Sequence, residues 1–259
     1  MLSVIIGFGF VFGAIAVALA AYFMSRLFFG GLIESETQRL AGSVMTKCAS
    51  LHALILALVF AQEIFTYQDV REQLVAEATA VGDIYFDVRR YGTDSEARIQ
   101  ADLSQYVHLV VEKEWDILAM TGKLSQDAWR MRDNVYLAVL DLEPETGRQE
   151  TLRQHMLQKI QFLAESRHSR ANTAQQGIGE VFWFASVFGL VIVAMSYFGF
   201  TPNRRRLALL SLYAGFTGVI MFMTFALANP FDDPGRLGPH AFERLLATEI
   251  GRPAGGGRT

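Results

Sequence analysis

Four long apolar runs decide what this chain can fold into: Leu2–Met24, Cys48–Phe65, Val181–Phe200 and Leu207–Ala228. They form two pairs around a long charged stretch. The first, third and fourth hold no Asp, Glu, Lys, Arg or His. About 20 apolar residues in a helix match a bilayer's hydrocarbon core of about 30 Å. A soluble fold of 259 residues rarely keeps so many uninterrupted runs. The expected fold is an all-α integral membrane protein. Four transmembrane helices come in two pairs, with a helical insert extending from the second and third.

The expected boundaries follow from the runs. Residues 1–24 form the first transmembrane helix, 25–47 a short loop and 48–65 the second helix. Residues 66–178 form an extramembrane helical domain, and 179–200 the third membrane helix. A basic loop, 201–206, leads to the fourth helix, 207–228, and to a post-membrane turn and tail, 229–259. Leu2–Met24 lacks a basic n-region and exceeds a signal peptide's apolar core, so it reads as a retained membrane helix.

The insert shows helical periodicity and no strand signal. Val70, Leu74, Ala78, Val81, Ile84 and Val88 recur at three- and four-residue spacing, with Gly92 as a stop. Thr93 with Glu96 reads as a capping box for a helix reaching Thr121, with Ile99, Leu103, Tyr106, Val110, Trp115 and Leu118 inward. Gly122 ends it, and Ser125 caps a helix through Trp129, Val135 and Val139, stopped near Pro144. A last helix starts near Thr146–Gln149 with Leu152, Met156, Ile160 and Leu163 as its stripe. Gly177 and Gly179 are expected bends before the third span. The final Ala254–Thr259 reads as a disordered tail.

Several function classes drop out. Net charge is −3, so there is no basic footprint for nucleic acid. The single cysteine, Cys48, excludes an internal disulfide and a cysteine metal cluster. The five histidines show no metal-ligand spacing. There is no P-loop, HExxH, GxSxG or Rossmann fingerprint. Three spans offer no ionisable group for catalysis, so no enzyme is expected and no motif calls for a cofactor.

The second span is the polar exception. Helical spacing puts His52, Val59, Gln62 or Glu63, and Thr66 on roughly one face. Polar groups are costly in hydrocarbon and face a bundle interior or water. One reading is a pore-lining face, with Ile55, Leu56 and Val59 as a constriction and Glu63 as a carboxylate ring favouring cations. The other is that His52 hydrogen-bonds within the bundle while Gln62 and Glu63 sit at the interface. The stretch from Thr66 to Ile178 holds 18 acidic and 13 basic residues, a modest bias towards cations.

Other features are weaker. Gly9-x-x-x-Gly13 suits close helix approach, within the chain or between copies. Phe182, Trp183 and Phe184 read as an interfacial aromatic belt. After the fourth span, Asn229-Pro230-Phe231-Asp232-Asp233-Pro234-Gly235 stops the helix. Asp232 and Asp233 offer hard oxygens for calcium, far short of the six to eight a site needs.

Two spans, a helical insert, two more spans, the His52–Ala61 run and the Ala226–Asp233 segment resemble the bacterial bestrophin-like proteins, a family built on a domain of unknown function. The likeness to bestrophins themselves is more remote and centres on Asn229-Pro230-Phe231 and the acids after it. Bestrophins are pentameric channels lined by their second membrane helix, with an acidic calcium clasp after the last span. The resemblance therefore implies a homo-oligomer, pentameric by analogy, with Cys48–Phe65 on the axis. It implies permeant ions and bilayer lipid as partners, a bacterial inner-membrane location, and Asp232 and Asp233 in a clasp-like element. Here the acidic run is shorter, followed by Pro234-Gly235-Arg236-Leu237.

Arg204–Arg206 in a short loop mark the cytoplasmic side, as do Arg26, Arg39 and Lys47. This places the insert outside, whereas the resemblance implies a cytosolic insert; the arginine triplet carries the expectation. The leading reading is a homo-oligomeric, bestrophin-like ion channel or channel-like pore. The alternative is a membrane-anchored helical sensor or scaffold acting through a partner, since about 30 residues after the fourth span are too few for an output domain.

Overall fold

The computed structural model describes residues 2–29, 35–175 and 177–250. Among them the regular structure is helical, without strands. The elements are α1 (Leu2–Phe29), α2 (Ser35–Tyr91), α3 (Glu96–Leu109), α4 (Trp115–Thr121), α5 (Gln126–Leu140), α6 (Gly147–Gln175), α7 (Glu180–Ser196), α8 (Arg204–Ala228) and α9 (His240–Leu245). A π-helical turn, Val110–Glu114, joins α3 to α4, and another, Leu246–Ile250, follows α9. Four helices are long and apolar enough to cross a membrane. The expected disordered tail, Ala254–Thr259, lies outside the described residues.

The chain divides into two compact units. The first comprises Met1–Tyr67, Gly177–Asn229 and Asp233–Gly235. In it α1 packs on α7 and α8 through small residues. Ala14, Ala18 and Ala21 of α1 meet Leu190 and Ala194 of α7 and Leu210 and Ala214 of α8. Small side chains let backbones approach, which is how membrane helices gain contact when lipid is as apolar as they are. At Gly218 a Cβ would stand 2.7 Å from the Phe10 carbonyl oxygen and 2.8 Å from Val11 Cα. The expected close approach at Gly9 and Gly13 is not made within the chain, since no atom lies within 4 Å of a Cβ at either. They border an apolar groove of about 470 Å³ with Phe10, Val17, Leu190 and Met221. Of the expected aromatic belt, Phe182 is buried, Trp183 packs on Phe10 at 5.9 Å and Phe184 is exposed.

The second unit comprises Gln68–Gln176, Pro230–Asp232 and Arg236–Thr259. The stripe from Val70 to Val88 on α2 is buried, as are Ile99, Leu103, Tyr106, Val110, Trp115 and Leu118. Val110 and Trp115 are five residues apart, and the i→i+5 bonding of the π turn between them suits both facing the core. Phe231, Phe242, Leu245 and Ile250 join this core. The segment expected as a tail is therefore structural through residue 250. Trp115 explains part of this: its indole Nε1 donates to the Leu237 carbonyl at 2.6 Å, and its ring meets Phe231 and Phe242 edge-on.

Other expectations need correction. Residues 35–47, assigned to a loop, are the opening turns of α2. Gln38, Leu40, Ala41 and Met45 favour helix, and no proline interrupts them. Arg204–Arg206, also assigned to a loop, form the first turn of α8, and the Asn203 side chain caps it by accepting from Arg205 N at 3.3 Å. The capping box expected at Thr93 and Glu96 is replaced by a turn in which Thr93 Oγ1 accepts from Ser95 N. Reciprocal capping occurs instead at Thr146 and Gln149: Gln149 N donates to Thr146 Oγ1 and Thr146 N donates to Gln149 Oε1. Gly92 and Gly122 end their helices with φ of 75° and 63°, a region where glycine carries no Cβ penalty. Gly177 and Gly179 lie between α6 and α7, with Gly179 as the N-cap of α7.

Candidate functional site: the apolar stretch of α2

Within the first unit, α2 is tied to its neighbours at few points. Between Cys48 and Phe65 only His52 and Leu56 are buried. They lie one turn apart and face the same way. His52 Nε2 lies 2.9 Å from the Ser186 carbonyl oxygen of α7, and Nδ1 lies 2.8 Å from the Tyr213 hydroxyl of α8. A carbonyl only accepts, so Nε2 carries the proton. In the neutral ring, Nδ1 then accepts from the Tyr213 hydroxyl. The ring also presses on Gly189, where a Cβ would stand 3.0 Å from Nε2 and nearer still to the ring carbons. Both polar atoms are satisfied, which is what makes a buried imidazole tolerable in an apolar setting.

The other expected residues divide. Ile55 and Gln62 are exposed, while Val59, Glu63 and Thr66 are half-buried. Thr66 Oγ1 donates to the Gln62 carbonyl of its own helix at 3.1 Å. The single face drawn from His52 to Thr66 thus splits in two. His52 and Leu56 bind the chain's own helices. Leu51, Ile55, Leu58, Gln62 and Phe65, spaced by four and three, form an outward stripe. The outward stripe has period 3.6 as well, so spacing alone did not separate it from the inward one.

Sequence reasoning missed a buried ionic cluster in the second unit. Glu77 of α2, Glu114 of the π turn, and Arg167 and Arg170 of α6 are each at most 2% exposed. Arg167 donates to both Glu114 oxygens, at 3.1 and 2.8 Å. Arg170 bonds Glu114 and pairs with Glu77 at 3.2 Å. Glu114 also accepts from Ser125 N at 3.0 Å, and Tyr106 donates to Glu77 at 2.8 Å. Burial pushes the Glu77 carboxyl up, opposed chiefly by Arg170. Burial and the Glu77 charge push the Tyr106 phenol up, keeping it a neutral donor. Burial works against the Arg167 charge, but the Glu114 carboxylate, with a hydrogen bond to the Tyr106 hydroxyl, outweighs it. A signal was present: Glu77 falls in the stripe with Leu74 and Val81, and Arg167 and Arg170 continue that of Ile160 and Leu163. Charges on an apolar period are paired charges inside.

The calcium expectation concerns Asp232 and Asp233. Among the described residues no group of three or more His, Cys, Asp or Glu is placed to hold a metal ion. Asp232 and Asp233 are two adjacent carboxylates, well short of a hard-cation shell. At Gly235 a Cβ would overlap the Ala226 carbonyl oxygen, so this turn folds tightly onto the end of α8 and needs glycine there.

The sequence matches the Bestrophin-like domain over residues 12–242. The chain belongs to the bestrophin-like family. No curated protein matches it. Among solved structures it is similar to a point mutant of a bacterial bestrophin homologue from Klebsiella pneumoniae. The TM-score is 0.64 over 94% of this chain and 97% of that one, at 12% identity. At that identity the likeness speaks for the fold. The bestrophin-like chain thus shares an all-helical architecture with that homologue while retaining little of its sequence.

Proposed function

We propose that this bestrophin-like chain is one subunit of a homo-oligomeric ion channel or channel-like pore in a bacterial inner membrane. The apolar stretch of α2 lines the axis, and the helical domain at about 66–178 stands outside the bilayer, extending from the second and third spans. One observation carries the reading. Only 11% of the apolar window of α2 is buried within the chain, the smallest share of the four spans, although of the four apolar runs only Cys48–Phe65 holds a His or a Glu. A membrane helix that is polar yet little packed by its own chain finds its remaining partners in other copies or in water. Ile55 and Val59 supply a hydrophobic neck, and Glu63 a ring of carboxylates that favours cations. Five copies is the number suggested by bestrophins. Calcium has no assigned part.

The test is reversal potential under a salt gradient in planar bilayers. Glu63→Gln removes one charge per subunit, and such charges in a ring act together at short range. The expected result is a shift towards the non-selective value, with conductance retained. Robust currents with unchanged reversal potential exclude Glu63 as a selectivity element. A monomer or dimer in detergent images, with no current, favours the sensor or scaffold.

Orientation is tested separately. Three arginines on the first turn of α8 oppose the helix dipole, so helix stability does not account for them. Retention on the cytoplasmic side does. With Cys48→Ala as background, Asn203→Cys is expected to resist membrane-impermeant maleimide in intact cells, and Thr93→Cys to react. The opposite pattern places the helical domain in the cytosol.

A further inference from the structure

The cations of the first unit are arranged differently from those of the second. In the second unit, arginines such as Arg167, Arg170, Arg90 and Arg236 pair with carboxylates. At one end of the first unit, by contrast, arginines hold neutral oxygens. Arg26 Nη1 donates to the carbonyls of Phe198 and Phe200, at 3.4 and 3.1 Å. Arg206 Nη1 donates to the Thr201 carbonyl and hydroxyl, at 3.1 and 2.8 Å, and its guanidinium lies 5.6 Å from the Phe200 ring centre. Two guanidinium groups therefore converge on Phe200. Arg204 and Arg205, which precede Arg206 in the chain, stand exposed.

An apolar groove opens at the same end. It encloses about 250 Å³ between Ser25 and Phe29 of α1, Ile192, Met195 and Ser196 of α7, and Phe198. Phe198 both lines the groove and accepts from Arg26, so a cation sits at the groove's margin. The polar atoms of this wall are occupied: Ser25 Oγ bonds Tyr22 O and Met195 O, and Ser196 Oγ bonds Ile192 O. What remains is an apolar slot with the Arg26 cation at its margin.

We propose that this end of the bundle binds an anionic phospholipid. One acyl chain lies in the groove, and the phosphodiester headgroup is held by Arg26 together with Arg204 and Arg205. The charge complementarity favours a lipid over a second copy of the chain. A lipid supplies an anion and a chain in one molecule, whereas a second copy would have to present both a carboxylate and an apolar segment at this one place. Among the described residues Arg26 donates through Nη1 alone, and a guanidinium can pair with a phosphate through its other nitrogens. The site rests on the chain being in a bilayer and not on its conducting ions.

The experiment uses the full chain in neutral detergent. Phosphatidylglycerol and phosphatidylcholine of equal chain length are titrated separately, with bound lipid counted by native mass spectrometry and melting followed in parallel. Phosphatidylglycerol is expected to be retained several-fold more strongly and to raise the melting temperature. The double variant Arg204→Gln, Arg205→Gln is expected to lose that preference with helicity unchanged. Ile192→Trp, which fills the groove, is expected to weaken retention with the arginines intact. Equal retention of the two lipids by the wild type overturns the site. So does a double variant that keeps the preference, or inorganic phosphate protecting as well as the lipid. Cross-linking of Ile192→Cys to Ile192→Cys between copies at high yield assigns the groove to a second chain and also overturns it.

Discussion

Glu114→Ala is expected to destabilise the helical unit by about 3–5 kcal/mol, the usual cost of stranding a buried charge. Glu114 receives Arg167 through two nitrogens, Arg170 through one and the Ser125 amide. Removing it leaves two guanidinium groups with Glu77 as the one remaining carboxylate of the cluster. Neither arginine has a route to water without opening the core, since both are at most 2% exposed. Pairing Glu114→Met with Arg167→Met is expected to recover much of the loss, because the unpaired charge is the costly state. Thermal unfolding and trypsin sensitivity of purified protein measure both. A Glu114→Ala protein within about 1 kcal/mol of wild type would mean that water reaches the cluster.

Gly218→Val is expected to part α1 from α8 in the membrane unit. The new Cβ meets the Phe10 carbonyl oxygen at 2.7 Å and Val11 Cα at 2.8 Å. Both are backbone atoms, so no rotamer change relieves the overlap. Overpacking of this kind costs about 1–3 kcal/mol or more. The comparison that isolates the effect is Gly9→Val or Gly13→Val. A Cβ there meets nothing within 4 Å, so the subunit's own fold should hold. Resistance to unfolding in increasing SDS separates the three variants. Gly218→Val melting like wild type would mean that the helices have room to move apart freely. Loss of oligomer with an intact subunit in Gly9→Val or Gly13→Val would place a second copy against that groove.

The division between local and tertiary information follows from particular residues. Four apolar runs, two glycine stops, the Ser125 cap and the buried stripe from Val70 to Val88 were all legible, because each depends on neighbours within one or two turns. Boundaries at 35–47 and 204–206 were not. There, hydropathy marks where bilayer-compatible sequence ends, while the hydrogen-bonded helix runs on past it. The role of His52 was open for a different reason. Its partners lie 134 and 161 residues away, and whether an imidazole turns inward depends on Ser186 and Tyr213 being there to receive it. The ionic cluster has the same character, with Glu77 and Arg170 separated by 93 residues. By itself the sequence determined that this chain is helical, that four segments suit a membrane, and which face of the helices between residues 66 and 178 is apolar. Only the tertiary structure decided which polar groups are consumed inside the subunit and which face outward, because a buried charge or imidazole is stable only beside a partner that folding brings to it.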